Sequence, residues 1–417
     1  MRLEQSRAGY GEGGAKRPRK MCRGAYKGDG QNLSNHTSFP CPTSQNPRYN
    51  MDNAKEISTP EISGSVFTAI YHEGDPGAGI AHYDLKSPSD LAFSFDYGHT
   101  GTPDHLVLYR PGTGTIWIIK NSNGNFSPVY RQGDPGTGIA GYDLKSPADR
   151  VFAFDYEHSG KLDHLVLYRP GTGTIWILKN DGGKFTPVYR QGDPGTGIGG
   201  YDLKSPADRA FAFDYEHTGK LDHLVLYRPG KGTIWILKND HGKFIPVYRQ
   251  GDPGTGIGGY DLKSAADQAF AFDYNHTGKL DHIVLYRPGM GTIWILRNDS
   301  GKFIPVFWEG DPGKGIAGYD LKSAADLVFP YDYDGSGKAD HLTLYRPGTG
   351  TIWILKNNSG SFTPVYRQGD PGKGIAGYDL KSSRDRVFSL AYAPHQPANL
   401  LGLYRPGTGT FWIVKRS

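Results

Sequence analysis

Residues 164–191 read HLVLYRPGTGTIWILKNDGGKFTPVYRQ, and this stretch decides the fold. Three runs rich in β-branched and aromatic residues are separated by two polar, Gly-bearing breaks, the pattern of strands and tight turns. His164 to Arg169 and Thr174 to Lys179 read as strands, and Pro170-Gly-Thr-Gly between them sets the backbone of a turn. A second turn, Asn180 to Lys184, leads to a strand from Phe185 to Gln191. Its Pro187 lacks an N–H, which suits the outer edge of a sheet. Upstream, Arg150 to Tyr156 reads as a further strand, joined to His164 by the polar loop Glu157 to Asp163. Downstream, the long polar connection Gly192 to Asp208 leads to the next copy of that strand. Four antiparallel strands followed by a crossover make a propeller blade.

The unit recurs every 59 residues. Leu-Tyr-Arg-Pro-Gly occurs six times, with its tyrosine at Tyr109, Tyr168, Tyr227, Tyr286, Tyr345 and Tyr404. Gly-Asp-Pro-Gly recurs with its aspartate at Asp75, Asp134, Asp193, Asp252, Asp311 and Asp370, and Tyr-Asp-Leu-Lys-Ser starts at Tyr83, Tyr142, Tyr201, Tyr260, Tyr319 and Tyr378. A constant period of this kind means repeat architecture. No segment has the 3.6-residue periodicity of stacked helices. The last unit has only three strands, Arg386 to Tyr392, Leu400 to Arg405 and Thr410 to Lys415, while a lone fourth strand, Val66 to His72, precedes the first. Pairing these fragments closes the ring and removes an exposed sheet edge. The expectation is an all-β, closed propeller of six four-stranded blades, 64–417, with the N-terminal strand completing the C-terminal blade.

Bulk properties limit the function. Gly and Pro number 59 and 29, yet aromatics reach 13%, too many for a disordered polymer. The net charge of +5 comes from the first 50 residues, which hold nine Lys/Arg and three Asp/Glu; the rest holds 38 basic and 39 acidic residues. A basic face for nucleic acid is therefore not implied. No apolar run reaches membrane-spanning length and no apolar signal region is visible. The expectation is no membrane insertion, and either a cytoplasmic protein or one released non-classically. Residues 1–63, which hold both cysteines, Cys22 and Cys41, match no blade and read as a disordered basic extension. Met51 is an alternative start.

The unit DHLVLYRPGTGTIWILKN with GDPGTGIGGYDLKS after it resembles the Photorhabdus-type propeller lectins, a family of fucose-binding lectins, across residues 66–417. The resemblance implies repeated sugar sites, fucosylated glycans as partners and homo-oligomers. It departs in ring size, since that family is seven-bladed and six units are present here; seven blades is the alternative.

Candidate site residues repeat with the blades. Trp117, Trp176, Trp235, Trp294, Trp353 and Trp412 lie on the third strands. Each ring can stack on the C–H face of a sugar while its indole N–H donates a hydrogen bond, or it can pack between blades. The turn after strand two and the crossover share one face by antiparallel order. That face collects Arg110, Arg169, Arg228, Arg287, Arg346 and Arg405 with Asp134, Asp193 and Asp252 and with Tyr142, Tyr201, Tyr260, Tyr319 and Tyr378. Arg169, Asp193 and the pair Tyr201-Asp202 are expected at one junction. Arginine donates to sugar hydroxyls and aspartate accepts from them, or the pairs simply fasten blades. Arg131, Arg190, Arg249 and Arg367 close four complete Tyr-Arg-Gln strand ends, whereas His72-Glu73 and Trp308-Glu309 replace Arg-Gln.

The loop Asp332-Tyr-Asp334-Gly-Ser336-Gly-Lys-Ala-Asp340 is the nearest approach to a calcium loop, but few copies carry the carboxylates calcium requires. His164, His223, His282 and His341 stand without a ligand-spaced histidine partner. Neither a metal nor another cofactor is expected. Nearly every polar residue is repeated, so nothing singles out one catalytic constellation. The reading is a multivalent, non-enzymatic sugar binder, with a protein-binding scaffold as the alternative.

Overall fold

The computed structural model describes residues 66–417, so the readings that fall on residues 1–63 and Met51 lie outside the described residues. Six antiparallel four-stranded sheets form a propeller. In blade two the strands are Arg150–Phe154, His164–Arg169, Thr174–Asp181 and Lys184–Arg190, in that spatial order. Blade six is built from Arg386–Leu390, Leu400–Arg405 and Thr410–Arg416, and Phe67–His72 supplies its outer strand, with Phe67 opposite Arg416 and His72 opposite Trp412. The ring has six blades, not the seven of the family it resembles. Among the described residues no helix is long and apolar enough to cross a membrane.

Element boundaries move for local reasons. The first strand of blade two ends at Phe154 because the Asp155 carboxylate turns back to accept the backbone N–H groups of Ser159 and Gly160. The third and fourth strands approach more closely than the sequence suggests, leaving only Gly182 and Gly183 as the turn. Their φ values of 58° and 95° match the hairpin turn whose twist suits flanking strands. The outer strand carries a bulge, since Ile177 faces Tyr189 while Leu178 faces Pro187. Proline and a bulge both blunt an exposed edge.

Every residue of each second strand is buried, His164 to Arg169 included, because neighbouring blades cover both faces. Each apolar cluster therefore spans a junction: Val107 and Ile118 of blade one pack with Leu165, Leu167 and Leu178 of blade two and with Ile139 and Leu144 of the connection. The innermost strands would leave backbone N–H groups unpaired at the axis. A tyrosine hydroxyl from the preceding blade accepts one in each: Tyr109 from Val151, Tyr168 from Ala210 and, at the closure, Tyr404 from Ala92. This follows from the demand that buried backbone donors find acceptors, and it gives the tyrosine of the repeated Leu-Tyr-Arg-Pro-Gly segment a structural role.

Candidate functional site

The crossover after strand four and the turn after strand two do share one face. Gly195 of the crossover donates its N–H to the carbonyl of Thr172 in the turn, and Gly171 donates to Leu203 of the same crossover. Each crossover serves two blades. Its Asp-Pro-Gly end and its leucine carbonyl seat on the blade just completed, whereas its tyrosine and the following aspartate reach the arginine of the next. Arg169 consequently meets Asp193 from the crossover that follows it and Tyr142-Asp143 from the crossover that precedes it. Tyr201 and Asp202 belong with Arg228 instead. The expected grouping of Arg169 with Tyr201-Asp202 is thereby shifted by one blade.

Arg169 is a buried hub rather than an open donor. Its Nε and Nη2 form a bidentate pair with Asp149, at 2.8 and 3.0 Å, Nη2 also donates to Asp143 at 2.6 Å, and Nη1 donates to Asp193. Four of the five guanidinium N–H groups are thus taken by carboxylates. Asp149 is fully buried, and Tyr142 also donates its hydroxyl to it at 2.8 Å. Asp143 and Asp193 are about half exposed and present acceptor oxygens to solvent. Burial pushes the Asp143 carboxyl up, but the Lys145 N–H and the Arg169 guanidinium outweigh it and hold it below the ordinary carboxylate value. Hydrogen bonds to Asp149 raise the Arg169 guanidinium despite its desolvation.

Trp176 is buried at 7% exposure, and its indole N–H donates to the Gln191 carbonyl at 2.7 Å. The expectation that this N–H serves a ligand is overturned, because the strand-four backbone has captured it. The ring meets Tyr142 edge-on, and Arg190, directly opposite in the sheet, lays its guanidinium over it at 4.4 Å. The tryptophan packs the junction, as the packing alternative has it, and it also lines a cavity. That cavity, about 180 Å³, is lined by Tyr142, Asp143, Thr174, Trp176, Arg190 and Asp193. Equivalent cavities lie at Trp353, about 220 Å³, and at Trp235, about 110 Å³.

These three junctions share two features that the others lack together. Gly141, Gly200 and Gly318 precede the tyrosine, and Arg190, Arg249 and Arg367 cover the tryptophan. A Cβ at Gly141 would lie 3.6 Å from the Trp176 ring. In blade one this place carries His82, at φ 72°, so a Cβ and an imidazole stand where the other blades present glycine backbone. Arg131 alone therefore does not make blade one equivalent. In blade four Trp308, 60% exposed, faces Trp294 in place of arginine, and Met290, 41% exposed, replaces the turn threonine. In blade six His72 faces Trp412.

Arg190, Arg249 and Arg367, which the sequence marks as strand ends at the junctions, are the guanidinium groups laid over the tryptophans, whereas the arginines of the Leu-Tyr-Arg turns are saturated hubs. Thr174 was missed altogether, although its equivalents recur with the same period. Its hydroxyl donates to Asp193 at 3.0 Å and so orients that carboxylate.

The Asp loops on the opposite face are closed by hydrogen bonds. Asp332 accepts the N–H groups of Ser336 and Gly337, and Asp334 also accepts from Ser336. Asp340 bridges His341 and, from the preceding blade, His276, at 2.6 and 2.7 Å. Asp163 joins His164 to His99 in the same way. These side chains tie blades together, and among the described residues no group of three or more His, Cys, Asp or Glu is arranged to hold a metal.

No family model matches the chain, and no curated protein does. Solved structures that this chain resembles in part include an Agrocybe aegerita lectin described as recognising non-reducing terminal N-acetylglucosamine, 19% identical with a TM-score of 0.47 over 80% of this chain and 81% of its own. The Cps50 propeller domain of Myceliophteria thermophila is 11% identical, TM-score 0.41, over 84% of this chain and 99% of its own. An α-L-arabinofuranosidase from Fusarium graminearum is 9% identical, TM-score 0.38, over 85% and 97%.

Proposed function

We propose that this protein is a multivalent carbohydrate-binding protein whose working sites are the three open junctions at Trp176, Trp235 and Trp353. The observation that carries the reading is one cavity built three times from complementary parts. A tryptophan edge offers apolar contact to sugar C–H groups, Arg190 offers guanidinium donors, and half-exposed Asp143 and Asp193 offer acceptors already fixed by a buried arginine. Sugar hydroxyls both donate and accept, so neighbouring fixed donors and acceptors suit them. The cavities are smaller than the 300–1,000 Å³ or so of drug-sized sites, which favours a single ring. Fucose, implied by the resemblance of the repeat to the Photorhabdus-type lectins, is the first sugar to test.

A glycosidase reading lacks support in the same geometry. Hydrolysis of a glycosidic bond needs one carboxyl with a raised pKa to act as acid, and the Asp143 carboxyl is held low. Repetition instead favours avidity, where linked sites gain roughly 10²–10⁴ over one. The test is agglutination of erythrocytes by the full chain and its inhibition by free monosaccharides. Agglutination reversed by one sugar class is expected; failure to agglutinate, together with no saturable sugar binding in solution, would favour the scaffold reading.

A further inference from the structure

The first residues of the six innermost strands occupy equivalent places around the axial channel, yet they differ: Leu91, Arg150, Arg209, Gln268, Leu327 and Arg386. A cavity of about 390 Å³ opens at this level, separate from the tryptophan sites and lined by Arg150, Arg209, Gln268, Tyr168, Tyr227 and Asp208 among others. Asp208 is buried and committed elsewhere, accepting from Tyr201, Ser205 and both edges of Arg228. Arg150 donates only through Nη1, to the carbonyls of Pro147 and Asp149, so among the described residues its Nε and Nη2 have no acceptor. Arg209 donates through Nη1 to Gln268 and also bonds the Tyr227 hydroxyl oxygen. Neither forms an ion pair among the described residues.

The hydroxyls of Tyr168 and Tyr227 accept backbone N–H groups from Ala210 and Ala269, so the proton of each hydroxyl is left to donate elsewhere. The cavity thus gathers two guanidinium groups and two phenol donors without a free carboxylate. Such convergence of like charge is unfavourable by itself. The fold does not require it either, because Leu91 and Leu327 fill the same place in blades one and five.

We propose that this axial pocket binds a tetrahedral oxyanion, a phosphate or sulfate, held by forked arginine donors and by the tyrosine hydroxyls. The anion arrives either as the free ion or as an ester on a sugar. The site does not depend on the tryptophan cavities.

The test is calorimetric titration of the full chain with sodium phosphate and with sodium sulfate, in a low-salt buffer free of both. One saturable site per chain is expected, weakened by added chloride. Arg150→Leu/Arg209→Leu installs side chains that the fold already carries at equivalent places, and it should weaken binding by roughly tenfold or more. The wild-type melting temperature should rise with either ion, a readout that needs no variant. A sulfated hexose that binds more tightly than both sulfate and the plain hexose identifies an ester as the source, whereas equal affinity for sulfate and the sulfated hexose identifies the free ion. Absence of saturable binding by phosphate, sulfate and the sulfated hexose, or unchanged affinity in the double variant, would overturn the proposal.

Discussion

Arg169 and Asp143 lie 2.6 Å apart but play different parts. Removing the arginine would strand Asp149, a carboxylate with no solvent exposure, among groups that cannot neutralise it. Breaking a buried pair from one side costs about 3–5 kcal/mol, so Arg169→Ala should lower stability by that order in denaturant unfolding. Asp143 is half exposed, and Asp143→Asn should change stability by less than about 1 kcal/mol. It should still weaken sugar binding at its own junction by roughly tenfold, through loss of a charged acceptor. Calorimetry together with unfolding separates the two effects. If Asp143→Asn left every site intact, the exposed carboxylates would not be the sugar acceptors. Trp176→Ala should do both kinds of damage, costing about 3–5 kcal/mol as a buried aromatic and removing one site. Packing and binding stay open for the tryptophans in the sequence because a ring on the third strand can pack a junction and line a cavity at once, as Trp176 does.

At the level of the blade, the junctions differ at two positions, the residue before the tyrosine and the residue opposite the tryptophan. Blade one has the arginine but carries His82 where Gly141 stands in blade two. His82→Gly should open a fourth junction, seen as one more sugar per chain, and should not destabilise, because glycine tolerates the positive φ that histidine holds there. An unchanged stoichiometry would show that glycine is not what opens the cavity. Blade four departs further: exposed Trp308 and Met290 stand in place of arginine and threonine, so its junction should prefer different ligands. The membership of this face was legible in the sequence, because antiparallel order fixes which loops share an end. The handover of each crossover from one blade to the next was not. It runs through Tyr201 and Asp202 to Arg228 of the next blade while Gly171 still holds Leu203 on the blade before, and the repeat alone does not say which arginine each aspartate meets. That Arg–Asp pairs fasten blades was one of the two roles the sequence left open; that Asp149 joins Asp143 and Asp193 on Arg169 and saturates it was not visible there.

For the whole molecule, the repeat and its incomplete ends carried the architecture. Blade number and closure by Phe67–His72 follow from counting, whereas boundaries such as Phe154 depended on a side chain folding back on its own loop. Deleting 66–72 should expose the edge of Thr410–Arg416 and lower the melting temperature with aggregation; an unaffected monomer would show the closing strand to be dispensable. Acid should be damaging. The six carboxyls equivalent to Asp143 and the His-linked Asp163, Asp222, Asp281 and Asp340 all sit below their ordinary values in the fold. Their contribution is present above the unfolded carboxylate pKa, about 4, and is lost as pH falls through the lower folded values. Burial raises Asp155, Asp214, Asp273 and Asp332, whose contribution runs the other way and is lost as pH rises through their folded values. The larger set decides, so the melting temperature should fall steeply below about pH 4. A chelator should leave sugar binding intact, because the loop carboxylates bind backbone N–H groups; binding lost with EDTA and restored by calcium would refute this. The central claim is tested most directly by a glycan array of the full chain beside its Asp143→Asn/Asp202→Asn/Asp320→Asn variant. Binding to one class of terminal sugar, fucosylated glycans first, is expected for the parent chain and should disappear in the folded variant; binding that persists unchanged in the variant, or no glycan bound by the parent chain, would contradict a sugar site at these junctions.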